Sequence, residues 1–123
     1  MKRKSLTEMT VNELVDRFAE IGVAQYNALD DDDNAKFRKL YKQIDAVDHE
    51  IRARGREARL ALTRLYTYPN MQVRLAAAKR TLGVAPGPAR QTIQAIADSK
   101  WPPQYLDAGM TLWNLDNGTF VPD

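Results

Sequence analysis

Residues able to do chemistry are few in this sequence, and the first to consider is its single histidine, His49. Asp45 precedes His49 by four positions, so on a helix both side chains would share one face and could contact a metal ion at two points. A third ligand with matching geometry is not evident, and a solvated polar face is the favoured interpretation. Ser5 and Ser99 lie in no strand–turn–helix elbow, and one histidine cannot serve a triad at both. We therefore predict a chain without catalytic residues, metal ligands or cofactors.

The acidic run Asp30–Asn34 contains Asp-x-Asp-x-Asn, the opening of a calcium-binding EF-hand loop. That loop requires glycine at its sixth position and a bidentate glutamate at its twelfth. Counted from Asp30, these positions hold Ala35 and Tyr41, so calcium binding is not expected. We predict instead that the carboxylates lie at the positive N-terminal end of the second helix, where acidic groups are stabilising.

The strongest functional indication is a basic middle segment, since residues 50–90 contain 9 Lys/Arg against 2 Asp/Glu and the flanking segments are slightly acidic. Nearly all of these cations are arginines, which grip carboxylates or phosphates with two parallel hydrogen bonds. We predict a partner-binding surface at the following residues: Arg52, Arg54, Arg56, Arg59, Arg64 and Tyr68. The favoured partner is another protein with an acidic surface. Nucleic acid is the alternative, less favoured because the net charge of the whole chain is only +2, and a structural or catalytic role ranks third.

Apolar residues recur at spacings of three and four along most of the chain, which is typical of amphipathic helices. The first helix should begin at Thr10, which can form a capping box with Glu13, and the second should end near Gly55. Gly22 lies on the apolar face of the first helix and would permit close approach of a neighbouring helix. Further helices are predicted over these ranges: Arg56–Tyr66, Asn70–Leu82, Pro88–Ala97 and Pro103–Leu115. Trp113 is predicted to be a core residue, and no strand is predicted anywhere in the chain.

The second half of the chain contains a repeated pattern. Val73 is matched by Leu106 and Ala77 by Met110, each 33 residues further along the sequence. Pairs of helices that recur at such a period are typical of an α-solenoid, in which each pair packs on the one before it. The sequence therefore predicts two stacked helical pairs after the first two helices.

The segment Pro69–Ala78 reads Pro-Asn-Met-Gln-Val-Arg-Leu-Ala-Ala-Ala and resembles the second-helix motif of HEAT repeats, in which a turn proline precedes Val-Arg and paired alanines. The resemblance implies that Val73 and Ala77 are structural residues facing the core. It also implies that Arg74 pairs with an acidic residue of a neighbouring repeat. Asp107 occupies the position equivalent to Arg74 in the second repeat, which predicts an Arg74–Asp107 ion pair.

A wider pattern is similar to a small bacterial family of unknown function with HEAT-like repeats. It is carried by Arg54–Arg59, by the Val-Arg-Leu-Ala-Ala string and by Asp107–Trp113. The resemblance implies a single all-α domain and an interaction role, of which a toxin-immunity or regulatory adaptor function is one specific form. We expect a short right-handed α-solenoid with HEAT-like repeats, preceded by an N-terminal helical hairpin. The expected division is a helical pair over 10–54, a HEAT-like repeat over 56–83, a degenerate repeat over 88–116 and a tail over 117–123.

The sequence contains no cysteine, which excludes disulfides and thiolate zinc sites and fits a reducing compartment. No run approaches the roughly 18 apolar residues that a membrane span requires. The basic start Met1–Lys4 is not followed by the apolar stretch of a signal peptide. We expect a cytoplasmic protein that does not engage a membrane, and the sequence leaves its oligomeric state open.

Overall fold

Residues 4–123, which the computed structural model describes, are helical apart from their turns and the final segment. The α-helices of this range are α1 (Val11–Asp30), α2 (Asn34–Ala53), α3 (Arg56–Leu60), α4 (Met71–Arg80), α5 (Pro86–Ser99) and α6 (Gln104–Asp116). Two 3-10 helices accompany them, Leu6–Glu8 and Ala61–Thr67. The described residues contain no strand, so the all-α prediction is confirmed.

The first two helices form because local capping groups fix their ends. The Thr10 hydroxyl accepts the Glu13 backbone N–H at 3.1 Å, and the Glu13 carboxylate accepts the Thr10 N–H at 2.9 Å. This confirms the predicted capping box. The Asp33 carboxylate accepts the Lys36 N–H at 3.0 Å and caps α2, as predicted for the acidic run. Gly55 follows α2 with a φ of 100°, a left-handed conformation that favours glycine.

Two apolar clusters build the core, and α4 contributes to both. Val73 and Ala77 are fully buried in the first cluster, together with residues of α1, α2 and the segment after α3. Leu75 and Ala78 lie on the other side of α4 and belong to the second cluster, with residues of α5 and α6. The predicted core positions of Val73 and Ala77 are confirmed, and α4 is the element that joins the two halves of the fold.

The contact between α1 and α4 depends on a glycine. A Cβ atom placed on Gly22 would lie 2.8 Å from Cγ2 of Val73 and 3.3 Å from its Cα. Both distances are shorter than ordinary van der Waals contact. The close approach predicted at Gly22 is therefore confirmed, and its neighbour is the valine of the Val-Arg-Leu-Ala-Ala string.

The third predicted helix differs from the expectation in its geometry. Only Arg56–Leu60 is α-helical, and the chain continues over Ala61–Thr67 as a 3-10 helix. The Thr63 hydroxyl donates to the Leu60 carbonyl at 2.7 Å within this transition. Such side-chain bonds to nearby carbonyls compete with the regular α-helical pattern.

The outward face of α6 contradicts two expectations. Trp113 was expected in the core but is 67% exposed, so that prediction is wrong. Leu106 and Met110 are 61% and 60% exposed, whereas Val73 and Ala77, their proposed equivalents, are fully buried. The physical reason is that α4 is packed on two sides, while α6 packs only on its inner side, through residues such as Ala108 and Leu112.

Candidate functional site

Three arginines converge where α2, α3 and α4 meet, and we call Arg52, Arg59 and Arg80 the arginine cluster. Arg52 and Arg80 share the carboxylate of Asp48, at 2.9 Å from Nε of Arg52 and 3.2 Å from Nη1 of Arg80. Asp48 is only 3% exposed, so this carboxylate lies behind the guanidinium groups rather than in front of them. Arg80 also contacts Asp45 at 2.7 Å. The buried aspartate thus holds two arginines in fixed positions.

The carbonyl of Arg80 at the end of α4 anchors the other two members of the cluster. Arg59 donates to it from Nη2 at 3.3 Å, and Arg52 donates from Nη2 at 3.5 Å. Positive groups are favourable at the C-terminal end of a helix, where carbonyl groups lack intrahelical partners. Among the described residues, Nε of Arg59 is buried and has no hydrogen-bond partner. Among the same residues, one oxygen of the Asp48 carboxylate, Oδ1, is likewise buried without a partner.

The segment of residues 117–123 folds back so that Asp123 reaches this cluster. Its carboxylate accepts from Nη1 of Arg52 at 2.9 Å, and its carbonyl oxygen accepts from Nη1 of Arg59 at 3.0 Å. A Cβ atom on Gly83 would lie 2.5 Å from the carbonyl carbon of Asp123. The missing side chain of Gly83 is thus what leaves room for the backbone of residue 123.

Charge and burial shift the pKa values of these groups in different directions. Partial burial acts to lower the pKa of Arg52, but Asp48 and Asp123 outweigh it and the pKa is raised. The pKa of Arg59 is lowered, first by burial and then by the charge of Arg52. The charge of Arg52 also lowers the pKa of the Asp123 carboxyl. Arginine remains protonated throughout the physiological range, so the shifts indicate that the carboxylates outweigh burial at Arg52 but only partly offset burial and the charge of Arg52 at Arg59.

A cleft of about 400 Å³ opens beside the arginine cluster, between α2, α4 and α6. Its lining includes Tyr41, Lys79, Asn114 and the side chains of Phe120 and Pro122. Tyr41 is 52% exposed, and the guanidinium group of Arg80 lies 5.4 Å from the centre of its ring, within cation–π range. The cleft thus combines positive charge with aromatic surface.

A smaller cleft of about 160 Å³ adjoins the first one, and buried amides lie at its base. Gln72 of α4 donates to Gln25 of α1 at 3.4 Å and accepts from Gln104 of α6 at 3.1 Å. All three side chains are buried. They therefore link three helices through the interior and fix the floor on which the cleft is built.

The six residues predicted to form the partner surface do not lie together in the fold. Arg52 and Arg59 lie in the cluster, and the exposed Arg56 is close by, donating to the Val84 carbonyl at 3.2 Å. Arg54 instead binds Glu50 at 3.0 Å and backbone carbonyls of the N-terminal 3-10 region. The remaining two predicted residues have their own contacts elsewhere: Arg64 with Asn12, and the Tyr68 carbonyl with Arg74.

The predicted Arg74–Asp107 ion pair is not formed among the described residues. Arg74 donates through Nε to the Tyr68 carbonyl at 2.6 Å, at the turn before α4. Asp107 pairs with Lys79 at 2.9 Å, so an ion pair between α4 and α6 exists but uses a residue five positions further along. The prediction failed because the offset of 33 residues does not describe how α6 is rotated against α4.

The residues that the sequence offered as metal ligands, Asp45 and His49, do not form a metal site. Asp45, the neighbour of His49, pairs with Arg80. Within residues 4–123, no group of three or more His, Cys, Asp and Glu side chains is arranged to hold a metal ion. Sequence reasoning missed Asp48 and Asp123 as partners of the arginines. The spacing of Asp48 and Arg52, four residues apart in one helix, was the available indication.

Comparison with known families assigns the chain to one of them. A family model described as "Domain of unknown function (DUF2019)" matches residues 12–116, and the chain belongs to this family. The match ends before the 117–123 segment that carries Asp123. No curated protein matches the chain.

Among solved structures, the fold is similar to the crystal structure of the protein RPA1889 from Rhodopseudomonas palustris CGA009. The two sequences are 46% identical, the TM-score is 0.93, and the similarity covers 98% of this chain and 100% of the other. The bacterial character of the resemblance and the all-helical fold are thus supported. The helices of residues 4–123 include none that is both long and apolar enough to cross a membrane.

Proposed function

We propose that this chain is a non-catalytic protein-binding module whose cleft accepts an acidic segment of a partner protein. The observation that carries the proposal is the position of Asp123, whose side chain and carbonyl group bind Arg52 and Arg59 at one end of the cleft. This contact is an internal example of the recognition we propose. When Asp123 dissociates from the arginines, an acidic residue of another chain can form the same bonds to Arg52 and Arg59.

The arginine cluster is prepared for such an exchange. Asp48 holds Arg52 and Arg80 from the buried side, so little side-chain freedom is lost when a second carboxylate binds from the cleft. Arg59 donates through Nη1 to the Asp123 carbonyl oxygen, and its lowered pKa reflects burial beside Arg52. A partner carboxylate that takes the place of Asp123 would place negative charge beside both arginines.

The neighbouring surface suggests what accompanies the acidic residue. Phe120 and Pro122 line the cleft beside Asp123. Tyr41 also lines the cleft, is half exposed, and lies within cation–π distance of Arg80. Aromatic and arginine side chains are enriched at protein–protein contacts. We therefore propose a partner segment in which an aromatic residue or proline precedes the acidic one.

The arrangement of helices supports a finer proposal for the fold. We propose that the segment from α3 to α4 and the pair α5–α6 are two HEAT-like repeats stacked on the α1–α2 hairpin. The double-sided packing of α4 supports this, because an inner repeat of a solenoid contacts both neighbours. Both clefts would then lie on the side formed by α2, α4 and α6, where solenoids present their binding surfaces.

Nucleic acid is the less favoured ligand for this surface. The basic groups of the cleft are interleaved with carboxylates of Asp45, Asp48, Asp107 and Asp123. Proteins gain affinity for nucleic acid by neutralising several phosphates with Lys and Arg side chains. The carboxylates would repel the phosphates that lie between the arginine contacts.

A fluorescent peptide with the sequence Asn-Gly-Thr-Phe-Val-Pro-Asp, blocked at both ends, tests the proposal by anisotropy. The intact chain carrying Asp123→Asn should bind it with a Kd in the range of about 10 µM to 1 mM. The unsubstituted chain should bind severalfold more weakly, because its own Asp123 competes. Asp116→Asn, which removes an exposed carboxylate paired with Arg90, is the matched control and should behave like the unsubstituted chain.

The same assay identifies the arginines and separates the alternative. Adding Arg52→Gln to the Asp123→Asn chain should abolish peptide binding, whereas adding Arg64→Gln should not. Equal binding by both double variants would refute the proposed site. Tight binding of a labelled oligonucleotide at about 0.1 M salt, with no peptide binding, would favour the nucleic-acid function instead.

A further inference from the structure

The smaller cleft beside the arginine cluster combines a polar floor with apolar walls. We call it the amide cleft, because it is lined by Gln25 of α1 and Gln72 of α4, which are only 2% and 7% exposed. Burying an amide costs free energy unless its hydrogen bonds are made, so two glutamines in such a place need a reason. The walls are apolar side chains of α2 and α4: Phe37, Ile44, Leu75 and Ala76.

The buried amides form a chain that has one open end at this cleft. Gln104 donates to Gln72 at 3.1 Å, and Gln72 donates to Gln25 at 3.4 Å. Among the described residues, nothing accepts a hydrogen bond from the amide nitrogen Nε2 of Gln25. At the other end of the chain, Oε1 of Gln104 is fully buried and has no partner within the same range. Only the Gln25 end borders the cleft, so a ligand can complete the chain there.

The charged groups that line the amide cleft already have partners. Lys79 pairs with Asp107 at 2.9 Å, and Arg80 pairs with Asp45 at 2.7 Å and with Asp48 at 3.2 Å. A charged ligand group would disrupt one of these pairs or stay uncompensated beside apolar walls. A neutral group that both donates and accepts hydrogen bonds avoids both costs. A primary carboxamide is such a group, and it can complete a chain of amides in either sense.

The size of the amide cleft restricts the ligand further. Its volume is about 160 Å³, which corresponds to roughly five water molecules at about 30 Å³ each. Clefts for drug-sized ligands and cofactors are larger, at about 300–1,000 Å³. A glutamine side chain, with three carbons, one oxygen and one nitrogen, matches the available space. The chemistry and the volume therefore indicate one carboxamide side chain.

The amide cleft and the larger cleft follow one another along α4. They adjoin because Tyr41, Lys79 and Arg80 line both. Gln72 lines only the amide cleft, whereas Gly83, which contacts the backbone of residue 123, lines only the larger one. The order is therefore the amide cleft, then the larger cleft, with residue 123 at the end of the second. One extended segment can occupy both.

We propose that the amide cleft binds a glutamine side chain of the partner segment. This inference rests on the proposed function, because the acidic residue at the arginine cluster sets the register. Phe120 and Pro122 precede Asp123 and line the larger cleft, so still earlier residues of a bound segment lead toward the amide cleft. Gln72 and Arg80 are eight positions apart in α4, or about 12 Å. An extended segment spans this distance with about four residues, which places the glutamine about four residues before the acidic one.

Anisotropy with the Asp123→Asn chain tests this register. The peptide Asn-Gly-Gln-Phe-Val-Pro-Asp, labelled and blocked at both ends, should bind about tenfold more tightly than versions with leucine or glutamate at the glutamine position, because only the carboxamide pairs with Gln25. Adding Gln25→Met should remove this preference and leave the affinity for the leucine peptide unchanged. Equal binding of the three peptides, with the test residue at any of the three positions before the phenylalanine, would overturn the proposal. So would a preference for glutamine that survives Gln25→Met.

An NMR titration of the unsubstituted chain with propionamide tests the amide cleft without the arginine cluster. Propionamide has the heavy atoms of a glutamine side chain, and propionate is its charged counterpart. Propionamide should shift the side-chain amide signal of Gln25 with a Kd on the order of 10–100 mM, whereas propionate should not. No such shift would overturn the amide cleft even if the acidic peptide binds at the arginines. A shift without binding of any acidic peptide would refute the proposed function and overturn a partner segment as the source of the carboxamide.

Discussion

Replacing Gly22 with alanine measures how closely α1 and α4 pack. The new Cβ would lie 2.8 Å from Cγ2 of Val73 and 3.3 Å from its Cα. Valine in a helix has one strongly preferred rotamer, so its methyl group cannot turn away at low cost. Alanine in place of glycine contributes about 1 kcal/mol through helix propensity, but overpacking of a core costs about 1–3 kcal/mol. We expect Gly22→Ala to lower the free energy of unfolding by about 1 kcal/mol.

Gly109→Ala is the matched control for this measurement. Gly109 also lies within a helix, but a Cβ there would meet nothing within 4 Å. Urea unfolding at a few micromolar protein should show the control stabilised by about 0.5–1 kcal/mol. Combining Gly22→Ala with Val73→Ala should recover part of the loss through a favourable coupling energy. Equal stabilisation by Gly22→Ala and Gly109→Ala would refute the close packing of α1 on α4.

Three further predictions concern the cap, the buried carboxylate and the folded-back segment. Thr10→Ala should lower the free energy of unfolding by about 1 kcal/mol in the same urea assay, because α1 loses its capping box. Asp48→Ala should cost about 3 kcal/mol by leaving two arginines without their buried partner, whereas Asp45→Ala, at a side chain 60% exposed, should cost less than about 1 kcal/mol. The charge of Arg52 lowers the pKa of the Asp123 carboxyl. Their contact therefore stabilises the folded-back segment fully at pH values above the ordinary carboxyl pKa of about 3.9. This stabilisation is lost as the pH falls through the lower pKa of the folded state. An NMR titration should show the signals of residues 117–123 change only in that acidic range, and a change centred at neutral pH would contradict the pairing.

Helix ends were predictable because their signals are local. Thr10 with Glu13 and the left-handed Gly55 are determined by a few neighbouring residues, and the structure confirms both. Gly22 could be placed on a packed face by spacing alone. The residue it packs against could not be named, because that depends on where α4 crosses α1.

The exposed face of α6 shows where periodicity fails. This helix is apolar on its inner side, at Ala108 and Leu112, and also on its outer side, at Met110 and Trp113. A pattern that is apolar all round favours burial of the whole helix. Only the order of packing reveals that α6 has no neighbour on its outer side within the described chain. The alignment of Leu106 and Met110 with the buried Val73 and Ala77 failed for the same reason, because it also assumed that both residues of α6 are buried.

The sequence predicted roughly where the candidate site lies, but not which residues form it. Composition identified the arginine-rich segment, and Arg52 and Arg59 do lie together. Arg54 points to the other side of α2, because two positions along a helix differ by about 200°. Buried polar residues were also missed, since Gln72 and Gln104 read as surface residues until their hydrogen bonds are known.

The charge balance of the arginine cluster determines what kind of ligand the adjoining cleft can discriminate. The three arginines of the cluster face three carboxylates, those of Asp45, Asp48 and Asp123. Counted over these six side chains, the arginine cluster is therefore neutral while Asp123 is bound and carries one excess positive charge when it leaves. A partner carboxylate that replaces Asp123 restores neutrality, so salt weakens the internal and the external contact alike. We accordingly expect only a shallow salt dependence for peptide exchange in the unsubstituted chain. Affinity then depends on what flanks the acidic residue, at Tyr41 and along the wall formed by α6, and net charge alone would give no specificity.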